Sequence, residues 1–520
     1  MTIIHASQAH PALVLALDVG TSSVRAMLYD GLGRAIEGLE SRTVYQMRAT
    51  PDGGVEMDTD ELCAITMNNI DVALQQASAR VADLRASLCG VALSTFWHSL
   101  LGVGEDGQAV TPLYNWNDTR SAAEAQVFSQ SFGTEWIHTR TGTMPHASYY
   151  PAKLLWLRRT NPALYARVTR WMSFGEYFHL KLFGQTLCSV SIASGTGLFN
   201  PHTCTWEEGL LKALEIEPQR LSPLAAEGEA LTGLRREYAE RWPELRELPW
   251  MPAVGDGACS NIGAGCVTPE RVALMVGTSG AMRVCWPAES VTVPRGLWCY
   301  RANRRYFVMG GALSNGGDVY AWCQKTLRLQ QRDGEGAESD EAKTEDAVIE
   351  AQLAQMEADA HGLTVLPFFS GERSTGWADY ARAAIMGLSL STQPIDILRA
   401  ALEAVSYRFA AIYDLLAEAM PRAQHIIASG GGLLNSPVWM QMMADVIGVP
   451  VVASTVGEAS SRGAALLALQ ALGHLSDLDA APAPLGKVYE PDTANHERYQ
   501  RARARQQCLY DLLIAPGPFN

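Results

Sequence analysis

Residues 13–30, LVLALDVGTSSVRAMLYD, decide how the rest of the chain is read. The unbroken apolar run 13–17 predicts a strand buried on both faces. It ends in Asp18-Val19-Gly20-Thr21-Ser22-Ser23, after which residues 24–28 resume a strand pattern. Two strands joined by a tight Gly-Thr-Ser turn expose backbone N–H groups and hydroxyls at the tip, a nest that suits phosphate oxygens. Gly20 lets the backbone come close, and an Asp at a strand end can hold a metal ion beside those phosphates. The chain repeats the device in residues 272–284, VALMVGTSGAMRV, about half its length further on. There Gly277-Thr278-Ser279-Gly280 follows another apolar strand, and Gly277 is expected to hold a backbone conformation that suits only glycine. One such hairpin is ordinary structure; two in corresponding halves predict a duplicated fold gripping one nucleotide between its lobes.

Composition narrows the field. A chain of 520 residues holds two or more domains, each with its own core. With 48% hydrophobic and 18% charged residues it reads as an ordinary globular protein. A net charge of −14 and the lack of a basic stripe argue against nucleic acid or an anionic membrane as partner. No run reaches the roughly 18 apolar residues of a spanning helix. The first eleven residues lack the pattern of a signal peptide, so a cytoplasmic location is expected. Ten scattered cysteines without a C-x-x-C pair predict reduced thiols rather than zinc or disulfides.

Apolar strands alternate with helical patterns through both halves, which predicts an α/β fold. In the first half, helices are expected over 61–86, 153–159 and 175–182, with a buried strand at 90–93. The Pro- and charge-rich passage 235–252 leads into Ala253-Val254-Gly255-Asp256-Gly257, and the domain boundary is placed there, dividing 1–253 from 254–520. In the second half, strands are expected at 306–311, 425–429 and 449–453, and helices at 318–327, 395–418, 438–447, 461–472 and 496–514. Residues 330–360 are strongly acidic and predict a solvated surface insertion.

No G-x-x-x-x-G-K-[ST] occurs, nor the motif set of protein kinases, so ATP chemistry falls to the duplicated hairpins. From about residue 13 to 472 the chain resembles the FGGY family of carbohydrate kinases, within the actin-like ATPase superfamily. The resemblance rests on DVGTSS at 18–23, GDG at 255–257, GTSG at 277–280 and SGGGLLNSPVWMQMMAD at 429–445. It implies two actin-like (ribonuclease H-like) lobes with a nucleotide and sugar cleft between them, ATP and Mg²⁺ as the reagents, and Asp18 near the metal.

The same resemblance makes Asp256 the general base that takes the proton from the attacking sugar hydroxyl; its residues alone fit an Asx-type turn equally well. Gly20, Thr21, Ser22, Gly277 and Thr278 would face the phosphates, while Gly317, Gly431, Gly432 and Asn435 match the nucleoside side. Trp97 and His98, in STFWHS at 94–99, resemble the sugar-contacting loop. Arg120, in WNDTR, either fixes its loop or touches substrate. RTGTMPH at 140–146, AKLLWL at 152–157, SFGEYFHLKLFG at 173–184 and SIASGTGLFN at 191–200 look most like the gluconate kinase branch. Gluconate is therefore the expected substrate, its carboxylate met by His98, Arg120 or Lys153, with xylulose, another ketose or a polyol as the alternative.

Tyr149-Tyr150-Pro151 and Gly371-Glu372-Arg373-Ser374-Thr375-Gly376-Trp377 depart from the family pattern and bear on which sugar is taken. A homodimer is the assembly left open. From another class, an actin-like nucleotide-binding scaffold would explain the hairpins but gives no reason to keep both Asp256 and Trp97-His98.

Overall fold

The computed structural model describes residues 3–329 and 339–517. Its two large sheets share one plan. In the first, Leu13–Val19, Ser23–Tyr29 and Ala35–Val44 form an antiparallel meander, and Leu88–Thr95 and then Val254–Gly255 add in parallel on the other side of Leu13–Val19. The second repeats this third-second-first-fourth-fifth order with Tyr306–Leu313, Gly280–Pro287, Arg271–Val276, His425–Ser429 and Val451–Ser454. Duplication inferred from two short motifs therefore extends to whole sheets. Every residue of Leu13–Val19 is buried, as an apolar run in the middle of a covered sheet requires.

The helix Thr59–Ser78 packs on strands Ser23–Tyr29 and Ala35–Val44, and it stops short of the expected 61–86. Asp83 caps a separate short helix, Leu84–Ser87, which feeds the strand Leu88–Thr95. Ala459–Ala471, from the far end of the chain, lies against the first sheet rather than the second. It crosses Asp256–Gly263 so closely that a Cβ at Gly263 would meet the Ala459 carbonyl oxygen at 1.8 Å, and one at Gly463 the Cys259 carbonyl oxygen at 1.8 Å. Only glycine permits that crossing.

Two expectations meet a different outcome. Val254 and Gly255 hydrogen-bond in register with Ser94 and Thr95 of the first sheet, so 254–263 stand with the first lobe and the sheets divide about ten residues later than the composition break suggests. The charged passage 235–252 holds the short helix Arg236–Arg241 and buries Trp242, Leu245 and Trp250 in the first core before the last strand of that sheet. Residues 330–338 of the acidic stretch lie outside the described residues. Beyond them runs the helix Ser339–Gln355, whose Ile349 and Leu353 are buried in the second core. Glu350 accepts hydrogen bonds from the Ser436 hydroxyl (2.8 Å) and the Val438 amide (2.7 Å). Apolar residues four apart make one buried face that the acidic composition hides, so this part of the stretch is not a solvated insertion. Among the described residues no helix is long and apolar enough to cross a membrane.

Candidate active site

Register brings the first group together. Asp18 lies opposite Ser94, and Ser94 lies opposite Val254, so the carboxyl ends of three adjacent parallel strands deliver Asp18, the Trp97-His98 loop and Asp256 side by side. Ligand crevices of α/β sheets form at this edge. Asp256 opens the helix Asp256–Gly263, and its Oδ1 accepts a hydrogen bond from the Gly257 amide at 2.7 Å. Burial pushes its carboxyl above the ordinary range, while the Arg283 guanidinium of the second lobe opposes the rise. Burial raises Asp18 further, to about 6, with Arg25 at 3.5 Å opposing and the charge of Asp256 adding to the rise.

Trp97 forms the floor beneath Asp256. A Cβ at Gly255 would lie 2.0 Å from its Cε2, one at Gly257 2.4 Å from its Cζ3, and one at Gly195 2.6 Å from its Cδ1. Its Nε1 donates to the Ser191 carbonyl at 3.0 Å. The glycines flanking Asp256 are thus needed for this indole as well as for access to the carboxylate. Trp97 is buried among them and is not the open sugar-stacking face expected of it.

The two hairpin tips are accessible, with Ser22 and Thr278 exposed. Neither Gly20 nor Gly277 has a left-handed φ, which corrects the expectation for Gly277. What Gly277 offers is space: the nearest atom to a Cβ there would be Met275 Sδ at 3.7 Å. Three glycine segments converge around it. The Gly317 amide donates to the Gly277 carbonyl at 2.8 Å, and a Cβ on Gly317 would stand 2.6 Å from that oxygen and 3.6 Å from Gly432 Cα. Gly430, at φ +88°, turns the chain past Val276 into the short helix Gly431–Leu434, and Asn435 follows it, exposed. The structure therefore groups Gly277, Thr278, Gly317, Gly431, Gly432 and Asn435 at one end of the second sheet.

On the other side of Asp256, two of the three residues expected to meet the substrate carboxylate are engaged elsewhere, and the third, His98, is uncharged. Lys153 is buried, and its Nζ donates to the carbonyls of His98 (2.9 Å) and Asn115 (2.7 Å). Burial lowers its pKa to about 7, and a neutral amine has just the two N–H groups those carbonyls need. Arg120 donates to Asp118 and Glu56 and lies over Trp156, so it fixes its loop. His98 holds a left-handed φ of 65°, a conformation that costs a non-glycine residue about 1 kcal/mol or more. Lys153 pins its carbonyl, and its Nδ1 donates to the Gly195 carbonyl at 2.5 Å, leaving Nε2 as an acceptor. Burial together with the nearby charge of Arg373 drives the ring pKa well down, so it is neutral.

Several residues of this half escaped the sequence reading. Trp298 and Tyr300 come from the edge strand Trp298–Arg301 of the second sheet, which inserts into the first lobe: the Cys299 amide donates to the Gly142 carbonyl (2.8 Å) and the Arg301 amide to Ser194 Oγ (3.0 Å). Tyr300 meets the hydroxyl of Tyr149 at 2.6 Å, and both rings flank His98. Arg373 lies over Trp116, 5.2 Å from the ring centre, and His146 Nε2 pairs with Asp379 at 2.6 Å. The contacts between the lobes join residues more than 100 positions apart, and no local pattern marks them. The aromatic pair at 149–150 and the loop 371–377 were the available signals.

Two ribonuclease H-like sheets, phosphate-type hairpins from both, and a half-buried carboxylate between them define a two-lobed kinase for small molecules. The models of the FGGY family of carbohydrate kinases match on both sides, the N-terminal domain over residues 13–263 and the C-terminal domain over 272–472. The chain is 27% identical to a gluconokinase of Bacillus subtilis (92% of this chain, 91% of that protein). It is 30% identical to a glycerol kinase of Aromatoleum aromaticum (93% and 95%). A solved gluconate kinase from Lactobacillus acidophilus superposes with a TM-score of 0.85 at 26% identity, covering 97% of this chain and 98% of that one. The protein belongs to the FGGY family of carbohydrate kinases: it is a sugar kinase that uses ATP.

Proposed function

We propose that the chain transfers the γ-phosphoryl group of ATP to a terminal hydroxyl of a sugar acid, with D-gluconate giving 6-phosphogluconate as the leading reaction. The observation that carries the chemistry is Asp256, set at a strand end between the two hairpins, seated on Trp97 and faced by Arg283. As the sugar oxygen bonds to phosphorus and the bond to the ADP oxygen breaks, Asp256 accepts the hydroxyl proton. Burial makes it a stronger base than an ordinary carboxylate, and the Arg283 guanidinium opposes that rise. Most of the acceleration comes from positioning the reactants. Gly20, Thr21 and Ser22 meet the phosphates from one lobe, Gly277 and Thr278 from the other, and Gly317, Gly431, Gly432 and Asn435 flank the nucleoside.

Asp18 fits Mg²⁺, a hard cation that takes one or two carboxylates and keeps several waters. Its carboxylate is buried with a single cation, Arg25, at 3.5 Å, and a divalent ion there would neutralise phosphate charge. His98 offers substrate its Nε2, and Lys153 acts through it as a positioning residue. Gluconate as the substrate is supported by the gluconokinase of B. subtilis and the gluconate kinase of L. acidophilus. Cytoplasmic action is in keeping with ten free cysteines, and a homodimer is open to test by light scattering. An ADP-release assay over aldonates, ketoses and polyols tests the reading. Gluconate should give the highest kcat/KM; a higher value for xylulose or glycerol overturns the sugar-acid assignment.

A further inference from the structure

An aldonate carries a carboxylate into a closing cleft, and a buried charge needs a paired cation or several donors. None of the three candidates of the first lobe serves: Lys153 is bonded to two carbonyls, Arg120 to two carboxylates, and His98 is neutral. We infer that Arg373 anchors the substrate carboxylate, reaching across the cleft from the second lobe, an inference that rests on the aldonate reading above.

Both sides of Arg373 are stapled to the second lobe. Glu372 is held by Arg408 (2.5 Å) and by the Tyr510 hydroxyl (2.6 Å). Ser374 and Ala312 exchange two hydrogen bonds, the Ser374 amide to the Ala312 carbonyl (3.0 Å) and the Ala312 amide to Ser374 Oγ (3.1 Å). Trp377 then closes the loop, donating from its amide to the Arg373 carbonyl (2.7 Å) and from its indole to the Gly296 carbonyl (2.8 Å).

From this rigid base the guanidinium extends over Trp116 of the first lobe. Its Nε is buried without a hydrogen-bond partner, and no carboxylate pairs with it among the described residues. The neighbouring acids are engaged elsewhere, Glu372 with Arg408 and Asp379 with His146. Its charge is felt by Asp256 and Arg283, by His98, Tyr149 and Tyr300, and by Asp379, which is itself paired with His146. A planar fork lying over an aromatic ring, with an unmet donor and no carboxylate paired with it among the described residues, is the arrangement that receives a carboxylate. It also couples recognition to closure, since base and ring belong to different lobes.

The test compares wild type with Arg373→Gln and Arg373→Lys, with kcat/KM measured for gluconate and for a neutral ketose or polyol. Arg373→Gln should lower the gluconate value by roughly 30-fold or more, chiefly through KM, and the neutral value by less than about three-fold. Arg373→Lys, which keeps the charge and loses the fork, should restore part of the gluconate loss alone. Equal losses on both substrates, or none, in variants whose melting curves match wild type would overturn the role of Arg373 and leave the sugar-acid reading intact. Should Arg373→Gln fail to fold, Arg373→Lys and Trp116→Leu decide by the same ratio. A wild-type enzyme that prefers neutral sugars overturns both, and that failure is visible before any variant is made.

Discussion

The two halves of the cleft are built from different materials. The proposed nucleotide side is backbone: hairpin tips, the Gly317 amide on the Gly277 carbonyl, and the glycines at 430–432. The acceptor side is side chains, contributed by both lobes and held by contacts such as Tyr149 with Tyr300 and Arg373 with Trp116. A backbone cradle suits a ligand that never changes, because main-chain donors are the same in every relative. A side-chain pocket can be re-aimed one residue at a time, which suits a family whose members take different sugars. The lesson is that reaction type and substrate choice rest on separable parts of one cleft.

Asp256 lies where the halves meet, and removing its proton acceptor should have the largest effect. In Asp256→Asn, phosphoryl transfer should fall by ~10²–10⁴ while ATP affinity stays within a few-fold. Single-turnover rates and calorimetry check the two parts, and wild-type turnover would remove Asp256 from its role.

Gly255→Ala attacks the acceptor side through packing. Its Cβ would enter the Trp97 ring at 2.0 Å, and the strain should lower stability by about 1–3 kcal/mol and also lower kcat. A second change, Trp97→Leu, should return part of the stability. Additive losses in denaturant titration would mean that the indole and the glycine do not press on each other.

Lys153→Met tests whether the buried amine braces the His98 loop. Folded Lys153 has a pKa of about 7, and the unfolded lysine holds its proton to about 10.4, so between those values the unfolded state binds the extra proton. This group's contribution to stability therefore rises as pH goes from 7 to 10, on the order of 2–4 kcal/mol. The methionine variant should lack that rise relative to wild type, and parallel stability curves would show that the amine stays charged in the fold.

The smallest structural disturbance belongs to the nucleotide side. Gly277→Val has open space and an ordinary φ, so the melting temperature of the free protein should hardly move. ATP affinity should still fall, by roughly ten-fold, because the side chain occupies the approach to the backbone. Unchanged ATP binding would break the contrast, since the second hairpin would then not be a backbone cradle.

The asymmetry also explains what was legible beforehand. Residues 18–23 and 277–280 could be recognised because glycines, hydroxyls and an apolar strand lie next to one another in the chain, and their duplication pointed to two lobes. Asp256 stood out between its glycines, although the indole those glycines accommodate lies about 160 positions earlier. Lys153, Arg120 and His98 were legible as candidates, but composition cannot say which of several cations is already paired. The helix around Ile349 and Leu353 was masked by its acidic neighbours.

What the sequence determined by itself is the part set by local covalent order: α/β alternation, duplicated phosphate hairpins, the family and its reaction. Tertiary structure decided which side chains around Asp256 are paired and which are left free. Pairing, burial and left-handed strain at His98 depend on partners brought together by sheet register and by the strand Trp298–Arg301 crossing between lobes. An arginine is free or engaged only with respect to its neighbours in space, and those neighbours are fixed when the two lobes pack.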